Sequence, residues 1–166
     1  MSDDEFPTPA EREVKTVFVE RMGKYWDAME AEIADDWGSG LDAYLFPLGG
    51  FNTTSSERLA GITNLVVHGR TRDLRWREWR EPFLKDLAGF LSWCYEEGDA
   101  TSDEAAFNFV TDFVHEEGGA STLRILAPLV IPALGKAMVR FALFIETDQP
   151  DDEDDDETWW NLDRTP

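Results

Sequence analysis

The chain has 166 residues, with 35 Asp and Glu against 15 Lys and Arg, for a formal net charge of −20 at pH 7. Hydrophobic residues at 42% and aromatics at 13% exclude a wholly disordered acidic chain, because that much apolar surface suffices to build a core. A single cysteine, Cys94, excludes an internal disulfide, and the acidic opening Met1–Glu5 does not read as a secretory leader, so a reducing cytoplasm is expected.

Residues 1–7 read as a disordered N-terminus. Thr8 followed by Pro9 and, three residues on, by Glu11 has the form of a capping box with proline at the first helical position. From there Val14, Phe18, Met22, Tyr25, Met29 and Ile33 fall within about 100° of one another around a helix, which predicts an amphipathic helix lasting to about Asp36. Residues 38–54 combine four glycines and Pro47 with Leu41, Tyr44, Leu45, Phe46, Leu48 and Phe51. That mixture predicts a long loop folded back over the core, with a short helical turn at 41–46.

Ser55 or Ser56 is expected to cap a second helix through Leu59, Ile62, Leu65 and Val66, ending near His68 and Gly69. The stretch 71–80 meets Pro82, which either kinks it or opens the next helix, 82–97, stopped by Gly98. Ser102, with Asp103 and Glu104 in the first turn, opens a helix whose apolar face is Ala106, Phe109, Val110, Phe113 and Val114, stopped by Gly118 and Gly119. The apolar run from Leu123 to Ile145 is interrupted by Arg124, Lys136, Arg140, Pro128 and Pro132, so it reads as core, not as a membrane span; the alternative is a helix lying on a membrane surface. Its helix enters at Pro132, with Leu134, Met138, Phe141 and Ile145 on one side and Val139 and Leu143 on the other, and is expected at the centre of a bundle. The expected fold is all-α: a bundle of five to seven helices over residues 8–146, followed by a disordered acidic tail with a tryptophan anchor over 147–166.

The densest local departure from composition is the segment 70–80. Arg70, Arg72, Arg75, Arg77 and Arg80 are five of the chain's eleven arginines, with Trp76 and Trp79 among them. Guanidinium groups beside indole faces can grip phosphates and stack bases, or accept an acidic aromatic segment of a protein. The competing reading is that Trp76, Trp79, Phe83, Leu87, Phe90 and Cys94 form one core stripe if the helix passes through Pro82, the arginines pairing with Asp73, Glu78 and Glu81.

Elsewhere the chemistry is sparse. Asp112 and Glu116 can share a face with His115 as a weak divalent-metal patch, but His115 lies far from the apolar stripe and is expected to face water. His68 reads as a helix-end residue favoured by the dipole. Cys94, between Trp93 and Tyr95 and followed by Glu96 and Glu97, reads as a buried thiol, not a reactive one. No nucleophile–base pair, phosphate loop or metal set can be named, so no catalytic residue, cofactor or metal is expected.

The tail carries an unbroken acidic run, Asp151 to Glu157, followed by Trp159 and Trp160, the composition of a segment that folds onto a basic, aromatic-accepting groove; the competing reading is a solubilising tail whose tryptophans pack back on the bundle. The rest of the chain remains strongly acidic without that run, and its basic residues are mostly arginine. At molar salt the Debye length falls to about 3 Å and self-repulsion largely disappears, so the surface resembles that of cytosolic proteins from salt-accumulating halophiles. The resulting expectation is a non-enzymatic interaction protein, an adaptor or assembly subunit of a halophilic organism or its virus. Its contact residues would be Arg70, Arg72, Arg75, Trp76, Arg77, Trp79, Arg80, Trp159 and Trp160 and its partner a protein; the tail would occupy the Arg/Trp surface of its own chain until the partner displaces it, or dock on that surface of a second copy to form a homo-oligomer. The alternative is a nucleic-acid-associated protein, such as a small helical ribonucleoprotein subunit or regulator, using the same arginines.

Overall fold

The structure, a computed structural model, describes residues 8–33, 40–47, 49–71, 75–97, 100–147 and 160. Among them every element is helical: α1 (Pro9–Met22), α2 (Trp26–Ile33), α3 (Leu41–Leu45), α4 (Thr53–Val67), α5 (Trp76–Glu97), α6 (Ala100–Asp112), α7 (Gly119–Leu126) and α8 (Pro132–Thr147). Single 3-10 turns lie at Gly23–Tyr25, Phe113–His115 and Ala127–Leu129. Since α1 runs into α2 through the first of these turns, the described residues form seven helical rods, the all-α bundle that periodicity predicts. No helix of the described residues is long and apolar enough to cross a membrane.

The α1 start is the capping box read from the sequence. The Glu11 amide donates to Thr8 Oγ1 and the Thr8 amide to Glu11 Oε1, both at 3.1 Å. Val14, Phe18, Met22, Tyr25, Met29 and Ile33 are all buried, and the tightening at Gly23–Tyr25 does not turn the stripe away from the core. The loop does fold back: Phe46 and Phe51 meet Phe18 at ring separations of 5.8 Å each, and Phe90 joins them at 5.2 Å from Phe18. A backbone bond from the Phe51 amide to the Glu11 carbonyl at 3.1 Å pins this loop to α1.

Four local expectations need correction. The cap of α4 is Asn52, not Ser55 or Ser56: its side chain accepts from the Ser55 amide while Ser55 Oγ accepts from the Asn52 amide, so the serine is the third residue of the box. Ser102 lies inside α6, which begins at Ala100. Val114 is 43% exposed because the last turn tightens to a 3-10 helix, where each residue advances about 120° and the valine leaves the face that buries Phe109 and Phe113. The α8 helix is not central: Leu134, Met138 and Phe141 are buried, but Val139 is 40% and Leu143 54% exposed.

The α7 helix was not separately anticipated, whereas α5 follows the competing reading of a helix that passes through Pro82. The α5 helix runs unbroken from Trp76 to Glu97 with Pro82 inside it, so the proline neither starts nor ends a helix. Pro82 is exposed, where the donor it lacks leaves a carbonyl within reach of water. The α7 helix and its following 3-10 turn lead into α8, and the two rods touch backbone to backbone: a Cβ at Gly135 would stand 2.5 Å from the Ala127 carbonyl oxygen.

Candidate interaction surface

The end of α4 and the start of α5 bring the arginine segment to one corner of the bundle. The α4 helix closes with a Schellman motif, the Arg70 amide donating to Leu65 O at 2.9 Å and the Gly69 amide to Val66 O at 3.3 Å. Gly69 sits at φ +66°, in the left-handed region that the motif requires. Arg70 leaves this turn exposed and pairs with Glu117 at 3.7 Å. Arg75 lies over the Trp79 ring, its guanidinium carbon 5.5 Å from the centroid. Arg77 is exposed, and Arg80 Nε donates to the Val67 carbonyl at 3.3 Å, tying α5 to the end of α4. Arg72 lies outside the described residues.

The tryptophans divide. Trp76, expected as a contact residue, is 2% exposed and packs edge-on against Phe83 at 5.0 Å and Trp79 at 6.0 Å. Its ring belongs to the core stripe with Phe83, Leu87, Phe90 and Cys94, because α5 passes through Pro82 and keeps these residues in helical register. Trp79 is half-buried, packed against that core on one side and covered by Arg75 on the other. Between the two helices lies a cleft of about 290 Å³, lined by Val66, His68, Thr71, Trp76, Arg77 and Arg80. Its wall is partly apolar and two of its edges are guanidinium groups.

Behind the cleft a polar network joins α4 to α7. Asn64 Nδ2 donates to the Glu117 carbonyl at 2.8 Å, and Thr122 Oγ1 donates to Asn64 Oδ1 at 2.6 Å. His68 Nε2 stands 3.2 Å from the Gly118 carbonyl and 3.0 Å from Thr122 Oγ1. A carbonyl only accepts, and the threonine proton is engaged by Asn64, so Nε2 carries a hydrogen and donates. Asn64 and Thr122 are buried polar residues that no local sequence motif marks; only their occurrence on otherwise apolar faces signals them.

On the other side of α4 three carboxyl groups approach one another. Burial first, then the Glu57 charge, pushes the Asp112 carboxyl up to about 6, and Asp112 Oδ2 is buried with no hydrogen-bond partner among the described residues. Burial also raises Glu116, with His115 opposing the rise. His115 is exposed, as its position predicts. Among the described residues no group of three or more His, Cys, Asp or Glu side chains is placed to hold a metal ion. Cys94 lies in the apolar core.

Trp160 packs back on the bundle, as the competing reading of the tail has it. It is 2% exposed, edge-on to Tyr95 at 5.1 Å and to Phe107 at 5.3 Å. Its indole N–H donates to Asp103 Oδ1 at 3.1 Å and its carbonyl accepts from the Tyr95 hydroxyl at 3.1 Å. Tyr95 lies nineteen residues beyond Trp76 along α5, about 28 Å at the helical rise, so Trp160 does not dock on the arginine segment. With ring and polar edge both satisfied by its own bundle, Trp160 packs as part of the core. The acidic run and Trp159 lie outside the described residues. Comparison with family models, with curated proteins and with solved structures finds no match to this chain.

Proposed function

We propose that the chain is a non-enzymatic helical interaction protein, an adaptor or assembly subunit of a halophilic organism or its virus, that receives an acidic segment of a protein partner at the α4–α5 corner. The observation that carries this reading is the cleft between the end of α4 and the start of α5, edged by Arg77 and Arg80 in a chain whose net charge is −20. Arg70 and Arg75 flank it, and Arg75 presents its guanidinium on an indole platform that is partly buried beneath it. Arginine over an aromatic ring, beside an apolar wall, is the composition that recurs at the energetic centres of protein interfaces.

The nucleic-acid reading draws less support. With Trp76 in the core and Trp79 under Arg75, the segment offers no open ring on which successive bases would stack. Attraction to phosphate alone also falls steeply with salt.

The test is capture at molar KCl by the wild type and by the double variant Arg75→Gln, Arg77→Gln. Arg80 is left intact because it holds the Val67 carbonyl. The expected result is loss of a stoichiometric acidic protein partner with melting unchanged within about 1 °C, since exposed arginines contribute little to stability. Equal capture by both proteins removes this reading, and retention of labelled single-stranded RNA in molar salt by the wild type alone replaces it with the nucleic-acid one.

A further inference from the structure

The cleft at the α4–α5 corner carries one buried donor that the bundle itself leaves unused. Trp76 forms part of the wall, and its indole Nε1 is buried with no hydrogen-bond partner. Among the described residues the only other buried side-chain atom in that condition is Asp112 Oδ2, so the protein otherwise satisfies what it buries. Trp160, the other tryptophan exposed by only 2%, donates its indole N–H to Asp103 Oδ1 at 3.1 Å. A buried N–H without an acceptor keeps its full desolvation cost until one arrives.

The groups beside Trp76 narrow what that acceptor is. Arg77 and Arg80 edge the cleft, and guanidinium groups only donate. Arg77 is exposed, and Arg80 spends Nε on the Val67 carbonyl; neither is ion-paired with a carboxylate among the described residues. Neutral His68 adds no donor, because its Nε2 hydrogen is committed to Gly118 and Thr122 on the α7 side. Val66 and Val67, both buried, make the wall apolar. Three donors, two of them cationic, beside an apolar wall match a group that only accepts, is negative and arrives on a hydrocarbon stem. A carboxylate has two oxygens, one for the indole and one for a guanidinium. A phosphate would bring a third oxygen and more charge into the cleft with a single buried N–H to meet them.

We infer that the cleft is a carboxylate site, in which Trp76 Nε1 donates to one oxygen of a glutamate side chain of the partner and Arg77 and Arg80 hold the other. This rests on the reading that an acidic protein segment docks at this corner, and it names the group that anchors the segment. The indole N–H has no open surface at rest, so the carboxylate reaches it as the two long arginine side chains move to meet it while the valines stay packed. A bond made at that depth is screened less by salt than guanidinium pairs at the rim, so the anchor persists at molar KCl.

The probe is an acetylated, amidated peptide with one glutamate between alanines, alongside its glutamine twin and free glutarate, each titrated at molar KCl into the full chain carrying isotope-labelled tryptophan. The chain has seven indole N–H groups, and that of Trp76 is assigned through the backbone and confirmed by its loss in Trp76→Phe. The expected result is a downfield move of the Trp76 indole proton as the glutamate peptide binds, with the Trp160 resonance, already bonded to Asp103, unmoved. The glutamate peptide should bind about tenfold more tightly than the glutamine one, the weight of one charge-assisted hydrogen bond, and Trp76→Phe, which keeps both arginines, should remove that preference. Should Trp76→Phe not fold, the wild-type resonance decides alone. The inference is overturned if the Trp76 resonance stays in place, including the case where it exchanges with a bound water, or if the glutamine peptide moves it as far. It is overturned equally if free glutarate binds as tightly as the peptide, which would make the cleft a small-molecule site. Partner capture that depends on Arg75 and Arg77 while the Trp76 indole does not move removes the carboxylate site and leaves the docking reading. An indole that moves with the peptide, without capture of an acidic protein, removes the docking reading and leaves the site.

Discussion

The indole nitrogen of Trp160 donates to a carboxylate oxygen of Asp103, 3.1 Å away and 57 residues earlier in the chain. Asp103 lies in the first turn of α6, where a negative side chain is already favoured by the helix dipole, so one carboxylate serves both the helix start and the last buried tryptophan. Replacing Trp160 with Ala should lower stability by about 3 kcal/mol, the usual cost of emptying a large aromatic site. Trp160→Phe should cost about 1 kcal/mol, mainly through the lost hydrogen bond. Urea midpoints for the three proteins measure this, and an unchanged midpoint for Trp160→Ala would show that the ring contributes nothing to the bundle.

A second expectation concerns the network between α4 and α7. Thr122→Val keeps the shape of the side chain but leaves Asn64 Oδ1 without its donor and His68 Nε2 with the Gly118 carbonyl alone. The expected loss is about 2 kcal/mol, the cost of leaving a buried polar atom unsatisfied. Amide exchange should quicken in α4 and α7 together; exchange that changes in α7 alone would mean that the network does not couple the two helices.

The Asp112 carboxyl gives the pH dependence. Its folded value, about 6, lies above the usual 3.8, so the folded chain binds this proton more tightly than the unfolded chain does. The contribution is therefore stabilising once the pH is below about 4, and it is lost as the pH rises through about 6. Asp112→Asn removes the ionisation and should raise stability at pH 7.5 by about 1 kcal/mol, a figure discounted for solvent screening at a half-buried site. The difference between variant and wild type should shrink as the pH falls toward 5, which thermal melts across that range will register. A difference that stays constant with pH would refute the assignment.

Salt should act on the whole molecule. With a net charge of −20 on 166 residues, the bundle is expected to loosen at 50 mM KCl and to become compact at molar KCl. Circular dichroism against salt measures this, and full helicity with an unchanged melting temperature at 50 mM would remove the halophilic reading of the composition.

What could be read from the sequence was what depends on neighbours in the chain. The Thr8–Glu11 box and the stripe from Val14 to Ile33 need only spacing, and both are present. The fate of Trp76 depended on whether a helix continues through Pro82, and proline alone does not decide that, since an exposed site tolerates the missing donor. The sidedness of α8 was hidden because both of its faces are apolar, so periodicity had no contrast to work with; its cations mark the solvent side only when the long acid-free stretch around them is noticed. Which of its two readings holds for Trp160 could not be told from the sequence, because its socket, Asp103, Tyr95 and Phe107, is assembled from distant helices and leaves no trace beside the tryptophan itself.

At Gly135 the meeting of two main chains, with a would-be Cβ only 2.5 Å from the Ala127 oxygen, sets how closely α8 lies on the turn before it by backbone and not by rotamers. Gly135→Ala would force α8 away from the preceding turn, so one added methyl group at this crossing should loosen the packing of α8 against the rest of the bundle.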